Sequence, residues 1–304
     1  MTIHEARLAG RDALVNSPTP VLDADILLSF VTGRDKTALL FKGDEPLSAD
    51  EAERFAGYIR ARSTGLPVAY ITGVKEFYGY SFHVTPDVLI PKPDTEILVE
   101  KALSYIQEKL ASRKNGILTI CDMCTGSGCV GLSVLKTLTD QRLVSAEKLP
   151  SLTLVDISSA ALDIARENTR LLCSAHEKDK IKFVRSNLFE AVSGSFDVIL
   201  SNPPYIPAAE VQELLQDGRS EPPLALNGDV DLFGNATGDN DGLGVMRNLV
   251  PQAVSRLSPG GALIVEAGEY NAEMTEYLFR SAGLSATHIF KDLEGQLRVI
   301  AGSR

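Results

Sequence analysis

The chain has 304 residues, 44% of them hydrophobic, which is enough for one large domain or for a large domain and a small one. Its formal net charge of -10 and sequence pI of about 5.0 repel phosphate backbones, so nucleic acid is not expected as the main partner. No apolar run approaches a membrane span, and residues 1–17 lack the basic-then-apolar order of a signal peptide, so a cytoplasmic protein with no membrane partner is expected.

Residues 1 to about 70 read as helices. Ile3, Ala6, Ala9, Ala13 and Leu14 recur at helical spacing, as do Leu22, Ala24, Ile26, Leu27 and Phe30 before Gly33. A third helix opens at Ser48 with Glu51 three residues on, the pattern of a capping box, and carries Ala52, Phe55, Ile59 and Ala61. Between Gly65 and Pro93 the period changes. Val68, Tyr70 and Ile71, then Phe77, Tyr78, Tyr80, Phe82 and Val84, then Val88 to Ile90, are β-type residues broken by Gly73, Gly79 and Pro86. This reads as a hairpin-like connector. In the stretch Asp94-Thr95-Glu96, either of the first two residues is suited to cap the helix expected from Ile97 to Leu110.

Strands and helices then alternate. Strands are expected at 116–122, 152–156, 181–184, 197–200 and 262–266, and helices at 131–138, 158–172, 245–257 and 272–281. Two last strands, 286–290 and 296–301, meet at a turn at Glu294-Gly295 with no helix between them. Alternation of this kind predicts an α/β, doubly wound, mostly parallel seven-stranded sheet with helices on both faces and an antiparallel edge strand. Asn227 to Gly244 is dense in Asp, Asn and Gly and reads as a long surface loop. Cys121 and Cys124 form a CxxC, but no second pair follows and the four His residues have no ligand-like spacing, so no metal is expected.

Two stretches carry chemistry. After the first strand of the alternating region, Gly126, Gly128 and Gly131 satisfy GxGxxG between a strand and a helix, with Asp156 at the end of the next strand. Glycines admit a ligand to the backbone, the helix offers free N–H groups, and a carboxylate at Asp156 suits a ribose diol. Helix capping beside Ser158 is the other reading of Asp156. Asp122 fits poorly beside a pyrophosphate and well beside the ammonium of an amino acid. Asn187 is suited to an adenine amino group and Leu188 to the face of its ring, the other reading of a loop Asn being a turn former.

The second stretch is Asn202-Pro203-Pro204-Tyr205, which stops dead the apolar run that begins at Phe196 and holds the strand 197–200. Two prolines cannot continue a ladder, and Asn202 is held extended by the proline that follows it. The Asn202 side-chain carbonyl and the Pro203 carbonyl are two fixed acceptors for the N–H bonds of one NH2 group, with an aromatic face beside them. A plain β-turn with a surface tyrosine is the alternative. No His or paired carboxylate flanks this corner in the sequence.

Together, Asp122-x-x-Thr125-Gly126-Ser127-Gly128, Asp156-Ile157-Ser158, Asn187-Leu188-Phe189 and Asn202-Pro203-Pro204-Tyr205 resemble class I S-adenosylmethionine-dependent methyltransferases. More narrowly, the chain resembles the PrmC/HemK peptide chain release factor N5-glutamine methyltransferases. That likeness rests on Gly65-x-Pro67-x-Ala69-Tyr70-Ile71-x-Gly73, Glu76 to Gly79, Ile90 to Glu96, Glu221-Pro222 with Ala225-Leu226, and Gly295-Gln296-Leu297-Arg298-Val299. The family usually has Gly at Cys124, Arg at Lys92 and Asp at Asn187, and 139–151 and 227–240 look longer than usual.

The resemblance implies a Rossmann-like methyltransferase domain at 93–304, a helical release-factor-binding domain at 1–70 and a β-hairpin connector at 71–92. It implies S-adenosylmethionine as cofactor, held by Asp122, Cys124, Thr125, Gly126, Ser127, Gly128, Asp156, Asn187, Leu188 and Asn202. The acceptor would be the glutamine of the Gly-Gly-Gln tip of class I release factors, with Asn202, Pro203 and Tyr205 catalytic and Asn202 to Tyr205 holding the substrate. A monomer is expected, and the nitrogen would lose its proton to water or a carbonyl after transfer. Adenine-N6 DNA methyltransferases share the same corner but need a basic cleft, and a nicotinamide oxidoreductase would leave the corner without a task.

Overall fold

The computed structural model describes residues 1–112, 116–216 and 221–304. The chain forms two compact units, one of Met1–Val74 joined by a segment that begins at Glu213, the other of Lys75–Gln212 and Glu221–Arg304. None of the described helices is long and apolar enough to cross a membrane.

The first unit is helical: α1 (Ile3–Ala13), α2 (Pro20–Thr32), α3 (Lys36–Phe41), α4 (Ala49–Ser63) and α5 (Val68–Thr72). Capping boxes at Thr2/Glu5 and Ser48/Glu51 start α1 and α4, each satisfying two backbone N–H groups that a helix start leaves free. Ile3, Leu14, Leu27, Leu28, Leu39, Phe55 and Ile59 make the core. Inside α2, Leu22, Ile26 and Phe30 lie exposed while Ala24, Leu27, Leu28 and Val31 are buried. That helix is apolar nearly all round, so its period does not choose a face. Residues 68–72, with their β-type side chains, form α5 and not a strand. Pro67 precedes the helix and Gly73 ends it at φ +73°, so start and stop signals outweigh composition over so short a run.

In the second unit, β1 (Val74–Phe77) and β2 (Tyr80–His83) form a two-stranded sheet. Tyr78 and Gly79 both have positive φ, as the tight turn between such strands requires. The large sheet contains β3 (Thr119–Met123), β4 (Ser151–Asp156), β5 (Ile181–Arg185), β6 (Phe196–Ser201), β7 (Leu257–Glu266), β8 (Ser285–Lys291) and β9 (Leu297–Ser303). Its order is β5-β4-β3-β6-β7-β9-β8, parallel from β5 to β7. β9 runs antiparallel between β7 and the edge strand β8.

The helices of this unit are α6 (Glu96–Ser112), α7 (Cys129–Asp140), α8 (Ser159–Leu172), α9 (Ala175–Lys178), the first part of α10 (Ala208–Gln216), α11 (Gly244–Arg256) and α12 (Ala272–Ser281). One face of the sheet packs against α6, α7 and α8, and the other against α11 and α12. Along β6 the side chains alternate, Val198 and Leu200 entering the first core and Ile199 the second. The chain crosses from β5 past β4 and β3 to reach β6, so winding reverses between β3 and β6. Open α/β sheets bind ligands at the carboxyl ends of strands at such a reversal.

Candidate active site

A cavity of about 420 Å3 opens at the carboxyl ends of β3, β4 and β6, within the usual range for small-molecule sites. Asp122, Cys124, Thr125, Gly126, Ser127, Asp156, Asn187, Leu188, Asn202 and Pro204 all line it. A second cavity of about 60 Å3 is lined by Asn202, Pro203 and Tyr205, together with Lys92 and Glu266. Asn202 lines both. Gly128 is outside either lining; it caps α7 at φ +81° and sets the turn itself.

The glycine turn is built on Asp122. This side chain is 1% exposed, and its Oδ2 accepts the Thr125 hydroxyl at 2.6 Å and the Gly131 N–H at 3.0 Å. Burial pushes its pKa up to about 7 against the pull of those two donors. Gly131 is required for space: a Cβ there would lie 2.8 Å from the Leu154 side chain and 2.9 Å from Asp122 Oδ2. The third glycine of the fingerprint therefore serves packing of α7 on the sheet. Cys124 has φ +58°, a left-handed conformation that costs an L side chain about 1–2 kcal/mol.

Asp156 ends β4, and its two oxygens are shared out. Oδ2 accepts the Gly126 N–H at 2.9 Å and Oδ1 the Ser158 N–H at 2.9 Å. Helix α8 is capped by Ser158, whose side chain accepts from the Ala161 N–H. Asp156 thus joins two turns, and each of its oxygens keeps a second lone pair for a ligand.

Asn187 donates its amide hydrogen to the Leu232 carbonyl, which leaves Oδ1 as its free acceptor. That carbonyl belongs to the Asp- and Gly-rich segment after Asn227, which sequence reading treats as surface loop with little to bury. The loop is indeed largely exposed, at 232–236 and 238–240, but it is anchored from within. Asp229 is 1% exposed and accepts N–H groups from Ala208, Asp241 and Gly242, so one buried carboxylate ties the segment's ends together. Residues 230–234 consequently reach the rim of the large cavity.

At the end of β6, the Ser201 hydroxyl donates to the Met123 carbonyl and ties β6 to β3. Asn202 Nδ2 then donates to the Thr95 hydroxyl at 3.1 Å. In this orientation one N–H of the amide goes to Thr95, and Oδ1 is left to accept. The Tyr205 carbonyl is held by Asn271 Nδ2 at 3.1 Å and the Tyr270 hydroxyl at 3.2 Å. The Tyr205 hydroxyl donates to Glu266 Oε1 at 2.9 Å. The corner is therefore clamped on both sides and is no loose surface turn.

Other hydrogen bonds depart from expectation. Of the residues expected to cap α6, Thr95 serves Asn202; Glu96, in the first turn of α6, accepts the Tyr78 N–H at 2.9 Å, tying down the β1–β2 turn. Asp94 pairs with Arg298 at 3.4 Å. Lys92 pairs with the buried Glu221 at 2.7 Å. The sequence shows no His or paired carboxylate flanking the corner; β7 brings a single one, Glu266, 61 positions from Tyr205. Burial raises its pKa to about 7. Nothing in the local sequence signals this, because the contact is made by strand pairing. Among the described residues no three His, Cys, Asp or Glu gather as a metal site. All four cysteines are free, and burial lifts the thiols of Cys121, Cys124 and Cys129 far from reactivity.

Comparison with known proteins adds the following. The PrmC N-terminal domain family matches residues 5–73, and the methyltransferase small domain family matches residues 99–228. The chain is 39% identical to the release factor glutamine methyltransferase of Bradyrhizobium diazoefficiens, over 93% of this chain and 88% of that protein. It is 37% identical to the protein of the same name from Burkholderia pseudomallei, over 94% and 93%. Against the one from Salmonella typhimurium it is 33% identical, over 99% and 96%.

Proposed function

The chain belongs to the release factor glutamine methyltransferase family, and from that premise we propose that it methylates the side-chain amide nitrogen of the glutamine in the Gly-Gly-Gln motif of class I release factors, with S-adenosylmethionine as methyl donor. The observation that carries this is the fixed amide of Asn202, whose Oδ1 is left free where the large and small cavities adjoin.

The residues present suit the cofactor. When bound, S-adenosylmethionine supplies a methyl group activated on a sulfonium. Asp122 would meet the ammonium of its amino-acid part, the Thr125 to Gly128 turn would pass close to its backbone, and Asp156 would accept its ribose hydroxyls. Asn187, with its NH2 already spent on Leu232, would offer an acceptor to the adenine amino group, and Leu188 would pack on the ring. The uncharged Asn187 thus does what a carboxylate would do, because Leu232 removes the choice of orientation.

The glutamine amide would enter the small cavity. An amide nitrogen is a poor nucleophile because its lone pair is delocalised into the carbonyl. Asn202 Oδ1 and the Pro203 carbonyl would each accept one N–H, aim the nitrogen and stabilise charge that develops on it. Tyr205 would pack beside the amide plane. Orientation of this kind in a dry site can lower a barrier by about 7–11 kcal/mol. The helical unit at the N-terminus, residues 1–70 in our reading, would bind the release factor, and a monomer suffices for this chemistry.

The test is to incubate the enzyme and S-adenosylmethionine with a release factor and, separately, with double-stranded DNA. Methylation at the Gly-Gly-Gln glutamine and none on DNA is expected. Methylated adenine in the DNA and an unmodified release factor would reverse the assignment.

A further inference from the structure

Glu266 closes β7 as a carboxylate 1% exposed, beside the apolar Val265 and Ala267. Its Oε1 accepts the Tyr205 hydroxyl, but Oε2 is buried with no hydrogen-bond partner. A buried acceptor left unpaired is costly, and a carboxylate oxygen more so. This side chain lines the small cavity together with Asn202 and Pro203. Glu266 and the residues that carry the two amide acceptors thus line one space.

The chemistry leaves a need in that space. Asn202 and the Pro203 carbonyl can hold N–H groups, but both are neutral and neither can carry a proton away. We propose that Glu266 Oε2 takes the proton that the glutamine nitrogen sheds on methylation. This deepens the functional reading above and rests on it. The nitrogen's electron pair forms the bond to the methyl carbon, and the pair of the old carbon–sulfur bond stays on sulfur. One of the two N–H groups then turns from its amide acceptor to Oε2, its bonding pair returns to nitrogen and its proton moves to the carboxylate. A sulfonium cation and a carboxylate anion go in; a neutral thioether, a neutral methylamide and a neutral carboxylic acid come out. In a low-dielectric cavity that cancellation of charge favours the products over any route that strands an ion.

Several titratable and charged groups face Glu266. They are Tyr205 on the corner, Arg298 on β9, Asp94 before α6, Cys129 at the start of α7, and Lys92 on the cavity wall. Burial prevails over the hydroxyls of Thr95 and Tyr205 and the cation of Arg298 and holds the carboxyl near neutrality, so it can both accept a proton and release it to solvent.

The experiment compares full-length wild type with Glu266→Gln in single-turnover methylation of a release factor, from about pH 5.5 to about pH 9. Glutamine keeps the acceptor for Tyr205 and lacks the base. The wild-type rate should fall as pH drops below about 7, and the variant should be slower by about 100-fold with a flat profile. Its affinity for S-adenosylhomocysteine should stay within about threefold by calorimetry. A variant within about threefold of the wild-type rate, with the same pH profile, would overturn the proposal. Melting gives a readout independent of turnover. The gap between variant and wild-type Tm should widen in the variant's favour from about pH 5 to about pH 8, and a constant gap would count against an ionising Glu266. If the variant does not fold, a flat wild-type rate across the same pH range overturns the proposal by itself. A wild type that binds S-adenosylhomocysteine yet methylates no release factor would instead overturn the substrate reading, and this proposal with it.

Discussion

Asp122 and Asp156 stand at the ends of neighbouring strands and differ in what holds them. Asp122 keeps a proton up to about pH 7 in the folded chain, against an ordinary value of 3.8. A raised carboxyl makes the folded state bind more protons than the unfolded one, so its contribution to stability is present below the unfolded pKa and is lost as pH rises through 7. A cation bound beside it needs the ionised form. Affinity for S-adenosylhomocysteine should therefore weaken by about tenfold per pH unit below about 7, and Asp122→Asn should remove that slope. A pH-independent affinity in calorimetry would place the ammonium elsewhere. Asp156→Ala removes an acceptor shared by two turns and, in our reading, by the ribose. Binding of S-adenosylhomocysteine should weaken on the order of 10- to 100-fold, and unaltered affinity would leave Asp156 as a turn residue alone. The types and spacing of these residues are legible in the sequence. Their partners are not: the Thr95 hydroxyl that turns Asn202 lies 107 positions away, and the Leu232 carbonyl that turns Asn187 lies 45 away.

The elements show the same division between local and distant causes. Each strand of the large sheet is announced by a short β-branched run, and the capping boxes of α1 and α4 are written in three residues each. Reading fails where two local signals compete, as at α5, or where a segment lacks periodicity altogether. In the segment from Asn227 to Gly244 the loop itself is legible and its anchor is not, because Asp229 is a polar residue buried by its hydrogen bonds and not by an apolar pattern. Asp229→Ala deletes the acceptor for three backbone N–H groups, each worth about 1 kcal/mol net. The variant should melt lower and bind S-adenosylhomocysteine more weakly, since Leu232 would no longer be held against Asn187. A lower Tm with unchanged affinity would show that the segment supports the fold and not the adenine side of the cavity.

At the scale of the whole chain, strand–helix alternation carries the architecture, and the net charge of -10 opposes association with a phosphate backbone. The order of strands and the place where winding reverses follow from topology, which no single segment encodes. The division into a helical unit and a sheet unit suggests separate tasks. A chain starting at Lys75 should still bind S-adenosylhomocysteine but lose methylation of a release factor. Retained methylation at the wild-type rate would remove the first unit from substrate recognition.

Geometry at one side chain decides most. Asn202→Ala should be made in the full-length enzyme, with methyl incorporation at the Gly-Gly-Gln glutamine followed by mass spectrometry and S-adenosylhomocysteine affinity by calorimetry. The account predicts that incorporation falls by about 1,000-fold or more while affinity changes by less than about threefold. A variant that methylates at near the wild-type rate, or one that loses both properties equally, would contradict it.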